Sequence, residues 1–294
     1  MPELPDIEVY LACLAPRVLG HTLTRLVVRN PFVLRSVSPT PAEIVGACVI
    51  DLRRMGKRIV LALDGERFIV IHLMIAGRLR WHPPTGKPPA RNALAVLQFE
   101  DGMLALTEAG TTRRASIHLA QGESGLEPFA RGGLEVLEVD RAAFAERLVS
   151  ENHTLKRALT DPRLFSGIGN AYSDEILHRA RLSPLALTRK LGDGEVTRLY
   201  DATRDILREW TQRLRAEVSD GFPEKVTAFR EGMTVHGRFG LPCPVCGTKV
   251  QRIRYASNET NYCARCQTAG RLLADRAMSR LLHDDWPRSI DEVE

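Results

Sequence analysis

Four cysteines near the C-terminus constrain this chain more than any other feature of its sequence. They form two Cys-x2-Cys pairs separated by sixteen residues, 247–262: Cys243 with Cys246, and Cys263 with Cys266. Each pair can bring two thiolates to one ion at about 2.3 Å, and two pairs complete a tetrahedron. The sequence therefore predicts one structural Zn²⁺ at the base of a two-stranded hairpin, with residues 249–255 as the first strand and residues 257–260 as the turn.

The alternative to a metal site is a pair of disulfides, which requires an oxidising compartment. The chain begins Met-Pro-Glu-Leu-Pro-Asp and lacks the basic and apolar regions of a secretory signal. No stretch approaches 18 consecutive apolar residues, so we expect no membrane span and no membrane partner. A cytoplasmic protein follows, and in that compartment clustered thiolates favour zinc.

The length of 294 residues allows two domains and a small extra module. Hydrophobic residues make up 44% of the chain, which argues against bulk disorder. Lys and Arg exceed Asp and Glu by 41 to 36, a formal net charge of +5. This excess permits a polyanionic partner without requiring one.

The N-terminal part, residues 1–125, is predicted to form an antiparallel β-sandwich domain preceded by one helix. The helix would start near Pro5 and Asp6, and its apolar face would contain Ile7, Tyr10, Leu11 and Leu14. Alternating apolar and polar residues between turn residues predict eight strands. They are 22–28, 45–53, 58–62, 67–73, 78–81, 93–99, 103–106 and 116–119.

The C-terminal part is predicted to be helical, after a linker at residues 126–140. Its helices would span 141–148, 155–160, 171–181 and 195–218, the last with an apolar stripe. We place a helical domain at 141–225, the zinc hairpin at 226–270 and a helical extension at 271–294, with an amphipathic helix at 271–282.

Three short segments suggest chemistry, although each alone has an ordinary explanation. Pro2 becomes a terminal secondary amine if Met1 is removed, but proline at position 2 is common. Lys57 follows Gly56 in a tight turn, where it can meet a phosphate or simply be solvated. The turn Gly167-Ile-Gly-Asn170 precedes a helix whose first N–H groups can bind an anion, but glycine is frequent between helices.

Together these segments resemble one family, the formamidopyrimidine-DNA glycosylase and endonuclease VIII enzymes, with this chain as a divergent member. The resemblance spans residues 2 to about 267 in the right order. The motifs that carry it are Pro2-Glu3-Leu4-Pro5-Asp6, Gly56-Lys57, His72-Leu73, Lys156, Gly167-Ile-Gly-Asn170 with Glu175, and His236-Gly237-Arg238 before the four cysteines. The implied fold is a β-sandwich followed by a helix–two-turn–helix domain with a zinc-finger hairpin.

The resemblance implies a bifunctional enzyme of base excision repair. The Pro2 amine would attack C1′ of a damaged nucleotide and form a Schiff base, with its pKa lowered by a cation such as Lys156. Glu3 would act as general acid, and strand cleavage would follow by β,δ-elimination. Lys57 would join Pro2 and Glu3 as a catalytic residue and hold a phosphate beside the lesion, Asn170 would hold another phosphate, and Lys156 would also bind DNA. The Schiff base is the electron sink, so no organic cofactor is expected.

Three positions depart from the family pattern. Ile75 stands where a methionine usually wedges into the duplex. Arg114 keeps the first position of the void-filling loop, but the aromatic residue that normally follows in that loop is missing. Asn258 replaces the arginine of the fingertip, and Glu259 beside it would repel phosphate, so weaker and less salt-sensitive binding is expected. The loop at 220–226 is short, which predicts that 8-oxoguanine is not the best substrate.

The main hypothesis is therefore a DNA glycosylase and abasic-site lyase acting on damaged double-stranded DNA as a monomer in the bacterial cytosol or nucleoid. A non-catalytic binder of damaged or abasic DNA on the same scaffold is the alternative, favoured by the altered wedge and fingertip. A zinc-ribbon protein unrelated to repair would explain the cysteines but would leave the N-terminal motif to chance.

Overall fold

The computed structural model describes residues 1–85, 92–109, 112–223, 226–255, 258–274 and 287–293, without the side chains of Tyr255 and Asn258. The chain divides into two compact units. The first unit contains Met1–Arg131 and Trp210–Thr227, and the second contains Gly132–Glu209 and Ala228–Glu294. The short loop at 220–226 includes residues 224 and 225, which lie outside the described residues.

The first unit contains two four-stranded antiparallel sheets, ordered β1-β6-β7-β5 and β2-β3-β4-β8. Helix α1 precedes them and the one-turn helix α2 follows β1. The bounds are α1 Leu4–Val18, β1 Leu23–Val28, α2 Pro41–Ile44, β2 Val49–Met55, β3 Arg58–Leu63, β4 Arg67–His72, β5 Gly77–His82, β6 Ala93–Phe99, β7 Gly102–Glu108 and β8 Ser116–Gln121. The predicted antiparallel sandwich is confirmed.

The core of this unit explains why its strands have these sequences. Alternate residues of β3, Ile59, Leu61 and Leu63, pack into the main core together with the buried face of α1. The other face of β3 is also buried, because Val60 and Ala62 belong to a second apolar cluster. A strand buried on both faces needs a continuous apolar run, which is the sequence found there.

All eight predicted strands are present, and their ends differ by a few residues. The largest difference is at the strand predicted for 45–53, which begins at Val49. Val45 follows α2 directly, and Gly46 turns the chain with a φ of +88°. The apolar face predicted for α1 is confirmed: Ile7, Tyr10 and Leu14 are fully buried, and Leu11 packs against the same core.

The second unit is mainly helical and contains the hairpin. Its elements are α3 Arg141–Ser150, α4 Leu155–Thr160, α5 Asn170–Arg179, most of α6 Asp193–Val218, β9 Gln251–Tyr255, β10 Asn258–Tyr262 and α7 Ala264–Thr268. The four predicted helices are present. Among the described helices, none combines the length and apolar composition that a membrane span requires.

Two predictions for the C-terminal part need correction. Residues 258–260 do not form a turn, because Asn258–Tyr262 is strand β10 and Thr260 pairs with Ile253. The start of the helix predicted for 271–282 is also wrong: Arg271 forms an isolated bridge with Ser289, and residues 272–274 are not helical. Residues 275–282 of that prediction lie outside the described residues.

Candidate functional site

The amino terminus is held at the start of α1. Pro2 and Glu3 are buried, and Glu3 forms the N-cap of the helix. Glu3 and Asp6 make a reciprocal capping box, in which the backbone N–H of Glu3 donates to Oδ2 of Asp6 at 2.8 Å. This arrangement fixes the backbone that carries the first residues of the chain.

The surroundings of the Met1 amine, which precedes Pro2, lower its pKa below the usual value of 8.0. Burial is the largest cause. Glu3 and Asp6 act in the opposite direction, whereas Arg78 and Lys57 lower the pKa further. The cations that lower the pKa of the Met1 amine are Arg78 and Lys57. The expectation that a cation such as Lys156 does so for the Pro2 amine stays a prediction.

Lys57 lies in the two-residue turn between β2 and β3. Gly56 precedes it with a φ of +62°, a backbone conformation that favours glycine. Lys57 and Arg58 also lie near His72, which ends β4. Burial of His72, followed by the charges of Arg58, Lys57, His118 and Arg131, lowers the pKa of the imidazole to about 4. The end of this sheet therefore carries several cations around a neutral histidine.

Ile75 lies at the tip of the turn between β4 and β5, and its side chain is 61% exposed. Met74 before it has a φ of +53°. A Cβ on Gly77 would lie 2.3 Å from the carbonyl oxygen of Leu73, so the turn requires glycine there. Nη1 of Arg78 donates to the carbonyl oxygens of Ile75 and Gly77 at 3.1 and 2.6 Å. The exposed apolar side chain of Ile75 therefore lies on a turn that the hydrogen bonds of Arg78 hold in place.

Arg114 is exposed in the segment that leads into β8. Its backbone N–H donates to Oε2 of Glu108 at 2.8 Å, and the N–H of Ala115 donates to the same oxygen at 2.9 Å. Glu108 is 2% exposed. The buried carboxylate therefore fixes the backbone and leaves the Arg114 side chain exposed.

In the second unit, Lys156 and Asn170 meet at the start of α5. Nζ of Lys156 donates to the carbonyl oxygen of Asn170 at 2.7 Å and to Oδ1 of Asp174 at 2.5 Å. The side-chain amide of Asn170 donates to the carbonyl oxygen of Glu259 at 2.7 Å. That bond uses one of the two amide hydrogens. The predicted helix start is present at Asn170, and the DNA-binding roles of Lys156 and Asn170 stay predictions.

Two buried carboxylates of α5 join this helix to the segments around the hairpin. Oδ2 of Asp174 interacts with Nδ1 of His236 at 2.8 Å and accepts from the N–H of Asn261 at 3.1 Å. Glu175 accepts three backbone N–H bonds at 2.7 to 2.9 Å, from Thr234, Val235 and His236. Both carboxylates are at most 2% exposed, so these bonds compensate their burial.

The end of the hairpin has a charge arrangement that the sequence did not reveal. Asn258 is the first residue of β10, and Glu259 faces the arginines of β9. Oε2 of Glu259 lies 3.4 Å from Nη1 of Arg252 and 3.7 Å from Nε of Arg254. Two cations therefore offset the carboxylate, and the Arg254 side chain is 63% exposed.

The thiols cluster as the spacing predicts. The ligand atoms of Cys243, Cys263, Cys266 and His178 all lie within 4.8 Å of one another. Sγ of Cys246 lies 3.3 Å from Sγ of Cys263. The histidine is an unpredicted member of the cluster, and its Nε2 lies 3.4 Å from Sγ of Cys243.

The electrostatics of this cluster suit a divalent cation. Burial raises the pKa of the Cys263 thiol well above its ordinary value and that of Cys266 to about 11. Burial also opposes ionisation of Cys246, but hydrogen bonds from Thr248 and the neighbouring cysteines lower its pKa to about 7. Because zinc binds thiolates, the ion would displace the protons that the buried thiols otherwise hold. This donor set fits a structural zinc.

Three family models match the chain. Residues 1–114 match the N-terminal domain of formamidopyrimidine-DNA glycosylase, residues 133–219 its H2TH domain, and residues 240–269 a zinc finger found in FPG and IleRS. The formamidopyrimidine-DNA glycosylase of Heliobacterium modesticaldum is 36% identical over 284 residues, which cover 91% of this chain and 100% of that protein. The chain belongs to the formamidopyrimidine-DNA glycosylase family.

Solved structures of this family share the fold. The MutM (Fpg) protein of Thermus thermophilus is 33% identical, with a TM-score of 0.75 over 90% of this chain and 98% of that chain. A Lactococcus lactis Fpg mutant in complex with DNA containing Fapy-dG gives a TM-score of 0.80 over 91% of this chain and 100% of that chain. Its identity of 24% supports the fold alone.

Sequence reasoning missed several residues that organise this family member. Glu108 and Arg78 fix the two loops that carry Arg114 and Ile75, and Asp174 joins Lys156 to the hairpin. Asp174 lies four residues after Asn170 and is therefore on the same face of the helix. This spacing is the sequence signal that could have identified Asp174. His178 continues that face by another four residues.

Proposed function

We propose that this chain is a bifunctional DNA glycosylase and abasic-site lyase of base excision repair that acts on damaged double-stranded DNA. One observation carries the proposal: the amine of Met1, one residue before Pro2, is partly buried near Arg78 and Lys57, and this burial together with the two charges lowers its pKa. A nucleophilic amine must be neutral, and a lowered pKa increases the neutral fraction at pH 7. Membership of the family supports the reaction type.

The first step transfers the sugar from base to protein. After removal of Met1, the lone pair of the Pro2 nitrogen forms a bond to C1′, the glycosidic bond breaks, and the base leaves with the bonding electrons and takes up a proton. Glu3 donates a proton to O4′ as the C1′–O4′ bond opens. The nitrogen, positively charged after the attack, gives up its N–H proton, which the departing base takes up, and the lone pair released in this way completes the double bond to C1′. The product is an iminium ion, because a secondary amine has no further proton to lose.

The second stage uses the iminium ion as electron sink. Loss of a proton from C2′ expels the 3′ phosphate, and loss of a proton from C4′ expels the 5′ phosphate, which is β,δ-elimination. Water then hydrolyses the iminium and restores the amine. Glu3 lies beside the amine in sequence and can transfer protons in these steps. No step requires an organic cofactor.

The remaining site residues are proposed to hold the DNA. Lys57, Lys156 and Asn170 bind phosphates, the latter two at the start of α5, where the first N–H groups of a helix favour anions. Ile75 enters the space left by the extruded nucleotide, Arg114 contacts the opposite strand, and Asn258 lies at the fingertip. The finger is held by Zn²⁺ on the four cysteines 243, 246, 263 and 266.

Trapping of the covalent intermediate tests the proposal. The protein is incubated with duplex DNA containing one abasic site in the presence of borohydride, which reduces the iminium to a stable adduct. The adduct is expected with the natural sequence and is expected to be lost in Pro2→Gly. Pro5→Ala is the matched control, since it changes a nearby proline and leaves the terminal amine in place.

The same samples distinguish the enzyme from the alternative, a non-catalytic protein that binds damaged or abasic DNA. Intact mass measures removal of Met1, without which Pro2 is not a terminal amine. Binding of abasic duplex without any adduct would contradict the enzyme and leave a sensor of abasic DNA. Glu3→Gln is expected to slow strand cleavage about 10²–10⁴-fold, the usual contribution of a general acid.

A further inference from the structure

We propose that His178 is part of the zinc site, where its Nε2–H donates a hydrogen bond to the thiolate of metal-bound Cys243. This inference uses the four-cysteine ligand set proposed above and is independent of the DNA chemistry. It assigns a function to a buried histidine that the glycosylase mechanism does not use.

The contact is direct and shielded from water. Nε2 of His178 lies 3.4 Å from Sγ of Cys243, within the range of an N–H···S hydrogen bond. His178 is 6% exposed and Cys243 is 2% exposed. Because water cannot replace this partner readily, loss of the imidazole would leave the sulfur without the donor.

Four thiolates on one Zn²⁺ leave a net charge of −2 in a largely buried site, and hydrogen-bond donors to sulfur spread that charge. Two cysteines receive such bonds from the backbone, Cys246 from Thr248 and Cys263 from Cys266. His178 supplies a side-chain donor to Cys243. The tautomer with hydrogen on Nε2 follows from this assignment.

The imidazole is a donor rather than a ligand because the cluster contains five candidate groups for four positions. Sγ of Cys246 lies 3.3 Å from Sγ of Cys263, so Cys246 belongs to the cluster even though it is exposed. A Cys-x2-Cys pair brings both of its sulfurs to one ion, and two pairs complete the tetrahedron. The fifth group, His178, then lies outside the ligand set.

The position of His178 also links the metal to the rest of the unit. Asn170, Asp174 and His178 are spaced by four residues and so share one face of α5. Asn170 contacts Glu259 and Asp174 contacts Asn261, both in β10. His178 extends the same face to the first cysteine pair. The helix thus contacts the finger at three successive turns.

The test measures zinc release from the zinc-loaded full chain to a colorimetric chelator. His178→Phe is expected to release zinc about 10- to 100-fold faster, the usual effect of removing a partner of a metal ligand. His178→Gln keeps a terminal N–H at a similar reach and is expected to recover most of the retention. His153→Gln is the matched control, because His153 lies in the same unit and interacts with Glu151 instead.

Two spectroscopic measurements separate a donor from a ligand. The visible spectrum of the Co²⁺-loaded protein is expected to show four thiolates in the natural sequence and in both His178 variants, and one fewer in Cys246→Ser. The ¹⁵N shifts of the imidazole in the unsubstituted zinc protein are expected to show a protonated Nε2. This measurement uses the unsubstituted protein, so it tests the proposal even if His178→Phe does not fold.

Three results would overturn the proposal. They are an unchanged release rate in His178→Phe, a Co²⁺ spectrum that loses a nitrogen ligand in the His178 variants, and a metal-coordinated Nε2 in the ¹⁵N spectrum. The last two would make His178 a ligand in place of Cys246.

Discussion

The ammonium group of Lys156 lies 2.5 Å from Oδ1 of Asp174, whose side chain is fully buried. The second oxygen of the same carboxylate interacts with His236 and Asn261. One side chain therefore neutralises the proposed phosphate-binding lysine and connects it to the finger. Since the Lys156 side chain is only 12% exposed, the Asp174 carboxylate offsets the cost of burying the ammonium group.

Asp174→Asn is expected to lower the free energy of unfolding of the second unit by about 3 kcal/mol, because it leaves a largely buried ammonium group without a counter-charge. Denaturant titration with a fluorescent probe in that unit measures the change. Asp193→Asn is the control: Asp193 pairs with Arg141, but their side chains are 85% and 44% exposed, so a loss below about 1 kcal/mol is expected. Equal losses in the two variants would refute the role of Asp174.

Hydrophobic periodicity and turn residues were sufficient to predict the eight strands of the first unit, helix α1 and helices α3 to α6, because these depend on local sequence. The Asp174 bonds could not be predicted, since their partners are 62 and 87 residues away. The polar run at 258–260 suggested a turn. Pairing with β9 overrides that preference and buries Thr260 opposite Ile253.

The candidate site likewise contains residues that the sequence could predict and residues that it could not. Spacing alone predicted the cysteine cluster, and the motifs of the family predicted Pro2, Glu3, Lys57 and Asn170. The only sequence signal for His178 is its position along α5. That signal is too weak to identify His178 as part of the metal site. Arg78 has no such signal, because it is 77 residues away from Met1 in the sequence and acts on the Met1 amine only in the folded chain.

Ile75→Ala is expected to weaken binding to duplex DNA with an abasic site about tenfold, because the truncated side chain no longer fills the gap. Fluorescence anisotropy measures the affinity. Ile50→Ala is a close control, since Ile50 is 62% exposed and Ile75 is 61% exposed. A similar small effect of both substitutions would show that Ile75 is an ordinary surface residue.

Arg78→Gln is expected to raise the pKa of the Pro2 amine, because Arg78 is one of the cations that lower the pKa of the adjoining Met1 amine. The neutral amine is the nucleophile, so the acid limb of the borohydride-trapping rate should move to higher pH. Arg80→Gln removes the same charge from an exposed position two residues further along β5. If both variants keep the pH profile of the parent, Arg78 does not tune the amine.

His72→Gln is expected to reduce the acid sensitivity of the first unit. The imidazole titrates at about 4 in the folded state, against a reference value of 6.5, with burial as the main cause. The unfolded chain therefore binds the proton first, and stability is lost as pH falls from 6.5 to 4. Between pH 7 and 4.5 the variant should lose about 2 kcal/mol less in urea titrations. If the parent and the variant lose the same free energy of unfolding over this pH range, His72 is not the cause of the acid sensitivity.

Glu259→Gln is expected to strengthen binding to duplex DNA several-fold and to steepen its salt dependence. The carboxylate lies 3.4 and 3.7 Å from the guanidinium groups of Arg252 and Arg254, so the substitution removes a negative charge that offsets both cations and repels phosphate. The slope of log K against log salt concentration measures the number of phosphate contacts. Glu138→Gln, an equal change of charge at an exposed position outside the finger, separates a local effect from the change in net charge. Identical slopes for these two variants would mean that the arginines of β9 do not contact DNA, and that the finger acts through its backbone and Asn258.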